Sequence, residues 1–431
     1  MAIVNLLNTT SRVETPFIMV TIGTYTFGVY DKKIERTNDS QGNYRYNKIQ
    51  YPNYIQSLNI TKINGKVNTY SLELKYPIRE NNDPNFIEKV LSSVSQTREI
   101  KFSYGDLSLP SFIYRDEEAM ITDVQSQFGL SDSSITYKIS AVSKALKLNH
   151  IPGVFPEITA KPSDIIKKLL YGNEYGKSLQ EIFYGMRDKT LVESSGLIPG
   201  DDAVVKIYRQ TNMSVLDYLA YLVSCMSPLY ASSDSTTKKG FYVLTIADDL
   251  SGLFGGPYFK ITPIGEGAYS SVLETYEIDI GYPSQNIIIS FQVDDNQSYS
   301  IFNKFAEEVT QEHYVQRIDD NGNLERVFAP IISSSNNLFL TTEAERTWWT
   351  KVTSYPIQGT IILKGLLRPS ILMTHVKLNV LFFGKRHISS GLYIITKQVD
   401  QIDFSGFKTT LSLTRVGEDS GVFLWLQKHI Y

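Results

Sequence analysis

The sequence predicts a mainly β protein with an α+β insertion, in which two antiparallel β-barrel domains flank a mixed α/β middle region. Three observations predict it. Apolar and polar residues alternate with period two at both ends of the chain, helical spacing is concentrated in the middle, and the character changes at proline- and glycine-rich stretches. The expected division is 1–150, a first barrel; 151–257, a mixed helical and β domain; and 258–431, a second barrel with a C-terminal tail.

The first region carries the cleanest alternation. Tyr70, Leu72, Leu74 and Tyr76 fall on one face of a strand, with Thr69, Ser71, Glu73 and Lys75 on the other. Ile100, Phe102 and Tyr104 repeat the pattern, as do Ile135, Tyr137, Ile139 and Ala141. Such alternation marks half-buried antiparallel strands with one face in water. Asn64-Gly65 lies between Ile60 and Tyr70, where a tight hairpin turn is expected. Asp83-Pro84 opens a helix carrying Phe86, Ile87, Val90, Leu91 and Val94.

Pro152, Pro156 and Pro162 cluster at the first boundary. Two helices follow. Ile165, Ile166, Leu169 and Leu170 form one stripe, and Val215, Leu216, Leu219, Leu222, Val223 and Met226 form the other. Ser214 with Asp217 three residues on caps the second, and Pro228 closes it. Phe241 to Ile246 reads as a short strand, and residues 252–257 as a second linker.

Strands return from Tyr258. Tyr276, Ile278 and Ile280 share a face, as do Ile287, Ile289, Phe291 and Val293. Asn321-Gly322 separates two strand segments, Tyr314 to Ile318 and Leu324 to Phe328. Thr342 and Glu345 open a helix with Ala344, Trp348 and Val352 on one stripe. Three strand segments close the chain, with apolar faces at Val376, Leu378, Val380 and Phe382, then Tyr393 to Val399, then Phe407, Thr409, Leu411 and Leu413. The two β-regions each hold an Asn-Gly hairpin and an inserted helix, a plan suggestive of internal duplication.

Composition excludes several classes. At 42% hydrophobic and 20% charged residues, wholesale disorder is ruled out. A net charge of −3 argues against a general phosphate-binding surface. A single cysteine, Cys225, excludes an intrachain disulfide and multi-cysteine metal sites. The 28 tyrosines against 3 tryptophans suit sheets and polar interfaces. Met1 to Leu7 is apolar but lacks a basic flank, and no apolar run approaches the ~18 residues of a spanning helix, so a soluble chain without a membrane segment is expected.

Signatures of chemistry are sparse. Phosphate-loop, nucleophile-elbow and zinc-protease motifs do not occur, and Gly265-Glu266-Gly267 lacks the third glycine of a dinucleotide fingerprint. His150, His313, His375, His387 and His429 stand apart from one another, without helical metal-ligand spacing. Asp319-Asp320-Asn321-Gly322-Asn323 places its glycine too early for a calcium loop and reads as a hairpin turn. The acid pairs Asp201-Asp202, Asp248-Asp249 and Asp294-Asp295 could serve a glycosidase, but solvated turns account for them. Cys225 reads as a half-buried structural cysteine and Trp348-Trp349 as core packing rather than a sugar platform. Lys385-Arg386-His387 is the one compact basic cluster; it could touch nucleic acid or an acidic partner, and reads most simply as a charged hairpin tip. No catalytic, cofactor-binding or metal-binding residue is nominated, and no cofactor is expected.

The last third carries a resemblance. Gln358 to Gly365 is followed by Ile371 to Phe383, then by Ser389-Ser390-Gly391-Leu392-Tyr393-Ile394-Ile395, then by Gly406-Phe407-Lys408-Thr409-Thr410-Leu411-Ser412-Leu413-Thr414-Arg415. This order resembles the closing barrel of the baseplate central hub, or tail hub, proteins of tailed phages, which are related to the hub part of type VI secretion spike proteins. The helix Val215 to Met226 leading into Phe241 to Ile246 is also similar. Leu367-Arg368-Pro369 and Met373-Thr374-His375 stand where the family often has a small glycine-containing turn.

The resemblance implies two tail-tube-like barrels per chain and a homotrimer presenting six of them around a bore. It further implies a non-enzymatic, trimeric symmetry adaptor in a phage tail baseplate, tail tip or contractile injection system. Such an adaptor joins the hexameric tail tube to the central spike and lines a DNA channel. Implied partners are a tail tube or distal tube protein, a central spike or tail-tip protein, other baseplate proteins, and DNA passing without specific binding. The implied location is the virion, after assembly in the host cytoplasm. Two alternatives remain: a tail-associated cell-wall or glycan hydrolase using an acid pair, and a receptor- or carbohydrate-binding tail module using aromatic faces.

Overall fold

Alternation builds strands, and strands account for most of the described backbone. The computed structural model describes residues 16–28, 36–38, 44–46, 53–63, 66–78, 83–92, 99–106, 113–129, 131, 133–172, 197–200, 202, 204–226, 240–247, 258–265, 272–280, 288–295, 312–318, 324–330, 357–365, 372, 374–383, 385–387, 389–403 and 405–417.

In chain order the first region contains β1 (Pro16–Ile22), β2 (Tyr25–Gly28), β3 (Arg36–Asn38), β4 (Tyr44–Tyr46), β5 (Ile55–Ile63), β6 (Thr69–Pro77), helix α1 (Phe86–Ser92), β7 (Glu99–Asp106), β8 (Ile113–Gly129) and β9 (Ser134–Ser143). A 3₁₀ turn (Lys144–His150) leads to β10 (Pro152–Phe155), β11 (Ile158–Ala160), α2 (Pro162–Tyr171), β12 (Val205–Ile207), β13 (Gln210–Ser214), α3 (Val215–Cys225) and β14 (Gly240–Ala247). The last region comprises β15 (Tyr258–Gly265), β16 (Val272–Ile280), β17 (Ile288–Asp295), β18 (Glu312–Ile318), β19 (Leu324–Pro330), β20 (Ile357–Lys364), β21 (His375–Phe382), β22 (Lys385–Arg386), β23 (Gly391–Asp403) and β24 (Gly406–Gly417).

Fourteen of these strands join in one sheet: eleven follow the order β17-β20-β24-β23-β5-β6-β9-β8-β7-β1-β2, and β21, which carries β16 and β22, branches from β23. The sheet forks at β23. Its first residues pair with β21, from Leu378 opposite Gly391 to His375 opposite Ile394, while Lys397 to Asp403 pair with Ile63 to Ser57 of β5. The two β-rich ends of the chain therefore share one hydrogen-bonded ladder. Pairing is antiparallel throughout except between β16 and β21, a parallel pair that the alternation does not foretell. Among the described residues the ladder stays open, running from β17 to β2 without closing on itself.

The expected faces are largely in place. Tyr70, Leu72, Leu74 and Tyr76 are buried, as are Ile100, Phe102 and Tyr104, and Ile135, Tyr137, Ile139 and Ala141. Each leucine, isoleucine or phenylalanine side chain so removed from water contributes about 1.5–3 kcal/mol. The β5–β6 hairpin forms, and Lys66 N–H donates to Ile63 O (3.1 Å) across residues 64–65, which themselves lie outside the described residues. The β18–β19 hairpin also forms, with Ile318 opposite Leu324. Asp83 caps the turn before α1 by accepting from Asn85 N–H (3.0 Å), so Pro84 precedes the helix rather than opening it. Ser214 caps α3 as expected, accepting from Asp217 N–H (3.0 Å). The expected helix around Trp348 lies outside the described residues.

Two faces differ from expectation. A bulge between Ile288 and Ser290 turns Ile289 outward, away from Phe291 and Val293. Phe382, placed by alternation with Val376, Leu378 and Val380, is exposed because it already lies at the β21–β22 turn.

Three apolar clusters fill the interior. One belongs to the first region, yet it includes Ile402 and Phe407 from the β23–β24 hairpin. Tyr104 meets Phe407 edge-on, with ring centroids 6.0 Å apart. The second gathers α2, α3, β14 and β15, and Phe155 stacks on Tyr218 at 3.7 Å. The third lies beneath β20, β21, β23 and β24.

Gly365 sits where a Cβ would fall 2.3 Å from Cγ of Phe407, and its N–H donates to Phe407 O (2.7 Å). Gly365→Ala is expected to destabilise the protein by about 1–3 kcal/mol through overpacking, and Phe407→Ala by about 3–5 kcal/mol through the cavity it leaves. Urea denaturation followed by circular dichroism reads both. A Phe407→Ala protein of unchanged midpoint would show that the β23–β24 hairpin does not share the first region's core.

Candidate functional site

Charged groups meet where the two β-rich ends join. Lys62 follows Leu58 and Ile60 on the inward face of β5 and is 1% exposed. Its Nζ bonds Oε1 of Glu117, which is 0% exposed. Tyr104 donates to the same oxygen (2.8 Å) and Tyr70 to Oε2 (2.8 Å). Opposite Lys62 across the seam lies Gln398, whose Nε2 donates to Asp400 Oδ2 (2.8 Å), while Thr409 donates to Asp400 Oδ1 (2.7 Å). Gln398, Asp400 and Thr409 are fully buried. A second cluster sits at the end of the first region. Lys144 bridges Glu99 (3.0 Å) and Glu118 (2.9 Å). Burial pulls the Lys144 ammonium down, but its bonds to Glu118 and Glu99 outweigh this and hold it above the ordinary lysine value. These carboxylates are engaged by fixed donors inside the sheet, an arrangement suited to holding strands together.

The residues weighed from sequence scatter. Asp202, expected in a solvated turn, is fully buried instead, where it accepts from Ser163 N–H (2.9 Å) and from the Ser163 hydroxyl, capping α2 from a distance. The expectation of a solvated acid is corrected for Asp202, which instead caps a helix. Asp294 is exposed on β17, and residues 201, 248 and 249 lie outside the described residues. Cys225 is half-buried at the end of α3, beside Tyr221. Burial, then the Cys225 charge and hydrogen bond, push the Tyr221 hydroxyl up to about 12. His375 is buried on β21, His387 is exposed beyond β22, and His150 is exposed at the end of the 3₁₀ turn. Among the described residues no group of three potential metal ligands converges. Trp348, Trp349, His313 and His429, and residues 319–323, have no described side chains.

The basic cluster does form a hairpin tip, and it is aromatic as well as basic. Phe382 pairs with Lys385 across residues 383–384. Phe382 is 46% and Phe383 68% exposed, with ring centroids 6.1 Å apart. Phe383 holds φ 48°, the left-handed region that a two-residue hairpin turn requires. The base of the tip is latched: Ser390 Oγ donates to Val380 O (2.9 Å) and accepts from Val380 N–H (2.9 Å), and Tyr393 donates to Ser389 O (2.6 Å).

The face of the large sheet opposite the core is polar across both β-rich ends. One row runs Lys364, Lys408, Gln401, Asn59, Ser71, Ser140 and Asp123 from β20 to β8. The next runs Ser290, Ile362, Thr410, Val399, Thr61, Thr69 and Val142 from β17 to β9. Hydroxyl and amide groups dominate, and the charges are of both signs. A shallow depression of ≈ 260 Å³ lies over Asn59, Thr61, Thr69, Ser71 and Ser140.

The segments that carry the hub resemblance are spatial neighbours. Gln358 to Lys364 in β20 pairs with β24, which holds Phe407 to Arg415, and β24 pairs with β23 from Leu392 onward. The glycine opening the last motif, Gly406, adopts φ 122° at the β23–β24 turn, where a side chain would be strained.

No family model matches the sequence, and no curated protein matches it. Solved structures do. The chain is similar to the tail protein from Neisseria meningitidis MC58, with a TM-score of 0.50 at 10% identity, covering 94% of this chain and 98% of that one. It is also similar to a 43 kDa tail protein of prophage MuSo2 from Shewanella oneidensis, with a TM-score of 0.49 at 10% identity over 93% and 98% of the two chains. An Escherichia coli component of the type VI secretion system, itself structurally similar to T4 bacteriophage tail proteins, has a TM-score of 0.43 at 10% identity over 84% of this chain and 74% of that one. At such identity the likeness to the Neisseria tail protein is one of fold.

Glu117→Gln should destabilise the protein by about 3–5 kcal/mol, because Lys62 is left buried without a full countercharge. The double variant Lys62→Met with Glu117→Leu should recover most of that loss, and urea midpoints of the two proteins measure it. His375 gives a pH dependence. Burial holds its pKa below the ordinary 6.5, so the stability it lends is complete above that value and falls away as pH drops through 6.5 toward the depressed pKa. Unfolding free energies at pH 7.5 and 5.5 should differ less in His375→Gln than in the wild type.

Proposed function

We propose that this chain is a structural hub of a phage tail baseplate or tail tip. In this reading it is a homotrimeric, non-enzymatic adaptor between a hexameric tail tube and a central spike. Residues 1–150 and 258–431 act as the two tube-like units of each copy, with residues 151–257 set between them. Its partners are a tube or distal tube protein, a spike or tail-tip protein and other baseplate proteins. It resides in the virion after assembly in the host cytoplasm.

One observation carries the reading. A single sheet runs through both β-rich ends, and its face opposite the core is mostly polar from β17 to β8. The end-to-end fold likeness to a tail protein supports it. Three copies, each with two sheet-built units, offer six roughly equivalent wall segments. Head-to-tail contact between neighbours satisfies the open strands at the ends of each sheet. The polar face then lines the bore. The charges in those rows are Lys364, Lys408 and Asp123, and most of the rest is hydroxyl and amide with a few aliphatic residues, so a polyanion meets mainly water-like partners and no continuous cationic track.

Multi-angle light scattering on the purified protein should give three times the chain mass, and class averages viewed down the axis should show a central bore. A single-chain mass at all concentrations, or trimers without a bore, would overturn the adaptor reading.

A further inference from the structure

We propose that the β21–β22 tip and the β17 edge are the two halves of the contact between neighbouring copies. This rests on the trimer reading and names its interface. The tip presents Phe382 and Phe383 with the exposed Lys385 behind them. The β17 edge presents Ile289 and Asp294, both exposed, and among the described residues β17 pairs with β20 alone. One half is aromatic and cationic, the other aliphatic and anionic.

Their placement suits a ring. Counting β17, β20, β24, β23 and β21, the halves stand four strand positions apart, about 19 Å at ~4.8 Å per strand; β22 lies on the β23 side of β21, and β16 takes its other side. The tip stands at the end of β21 and the other half along the free side of β17, too far apart to meet within one copy, so they complement each other between copies. A threefold ring needs a heterologous contact, in which each copy offers two different surfaces.

Phe383 supplies the independent sign. The first central position of a two-residue hairpin turn with φ above zero favours asparagine, aspartate or glycine, and a bulky residue there is strained. An aromatic ring held in that backbone region and left 68% exposed costs the folded chain stability and apolar hydration. Docking into a neighbour offsets that cost. The latch at Ser389, Ser390 and Tyr393 holds the tip in shape before contact, which lowers the ordering entropy of association.

The test separates folding from assembly. Phe383→Asn relieves the turn, so its melting temperature should equal or exceed the wild-type value, while its trimer dissociation constant in sedimentation velocity rises about tenfold or more. Lys385→Glu should weaken the trimer, and adding Asp294→Lys should restore it. A wild-type protein that is monomeric throughout removes the trimer reading and this contact with it. A trimeric wild type with an unweakened Phe383→Asn trimer overturns the contact alone. Weakening by Lys385→Glu without recovery in the Asp294→Lys double variant rules out β17 as the acceptor.

Discussion

The pairing of β5 with β23 is the constraint on which the molecule depends. It joins strands more than three hundred residues apart in sequence and turns two β-rich ends into one sheet. The cost is steric and electrostatic. The inward faces of both strands carry charge at the junction, Lys62 from one and Asp400 from the other, where apolar residues would pack more simply. Each charge is matched by fixed partners: Lys62 by Glu117 of β8, which Tyr70 and Tyr104 also hold, and Asp400 by Thr409 of β24 and Gln398 of its own strand. A polar row in an otherwise apolar interface penalises every other register, because a slip of one residue sends these groups to the wrong face. The seam therefore specifies alignment as well as adhesion.

Much of this was legible in the residues. Strict alternation exposed β6, β7, β9 and β24, because one face of each meets the core and the other meets water. Asn-Gly marked two hairpins, and Ser214 with Asp217 marked the start of α3. What alternation cannot carry is partnership. Nothing local to β16 announces that it lies parallel to β21, and nothing in β23 announces that it serves three neighbours. Those pairings are set by side chains distant in sequence.

The polar groups were hardest to read for the same reason. Asp202 next to Asp201 suggests a wet turn, yet its carboxylate reaches a helix start 39 positions earlier in the chain. Lys62 looks like a surface lysine until its place in the Leu58, Ile60 series is noticed, and Glu117 gives no sign of its burial within a run of acids. The β21–β22 tip was legible as basic but not as aromatic, because Phe382 extends an apolar series whose true end is set by the turn at Phe383. The motif segments of β20, β23 and β24 spoke for the architecture, and their adjacency in space explains why they occur together.

The fork at β23 has a mechanical consequence. A 13-residue strand that holds β21 at its beginning and β5 at its end along one edge is loaded lengthwise when those two strands are drawn apart. Cross-strand bonds lie perpendicular to such a pull and bear it together, whereas a hinge between separate modules would open one bond at a time, like a zipper. The joint is therefore stiff along the length of β23 and soft only across it.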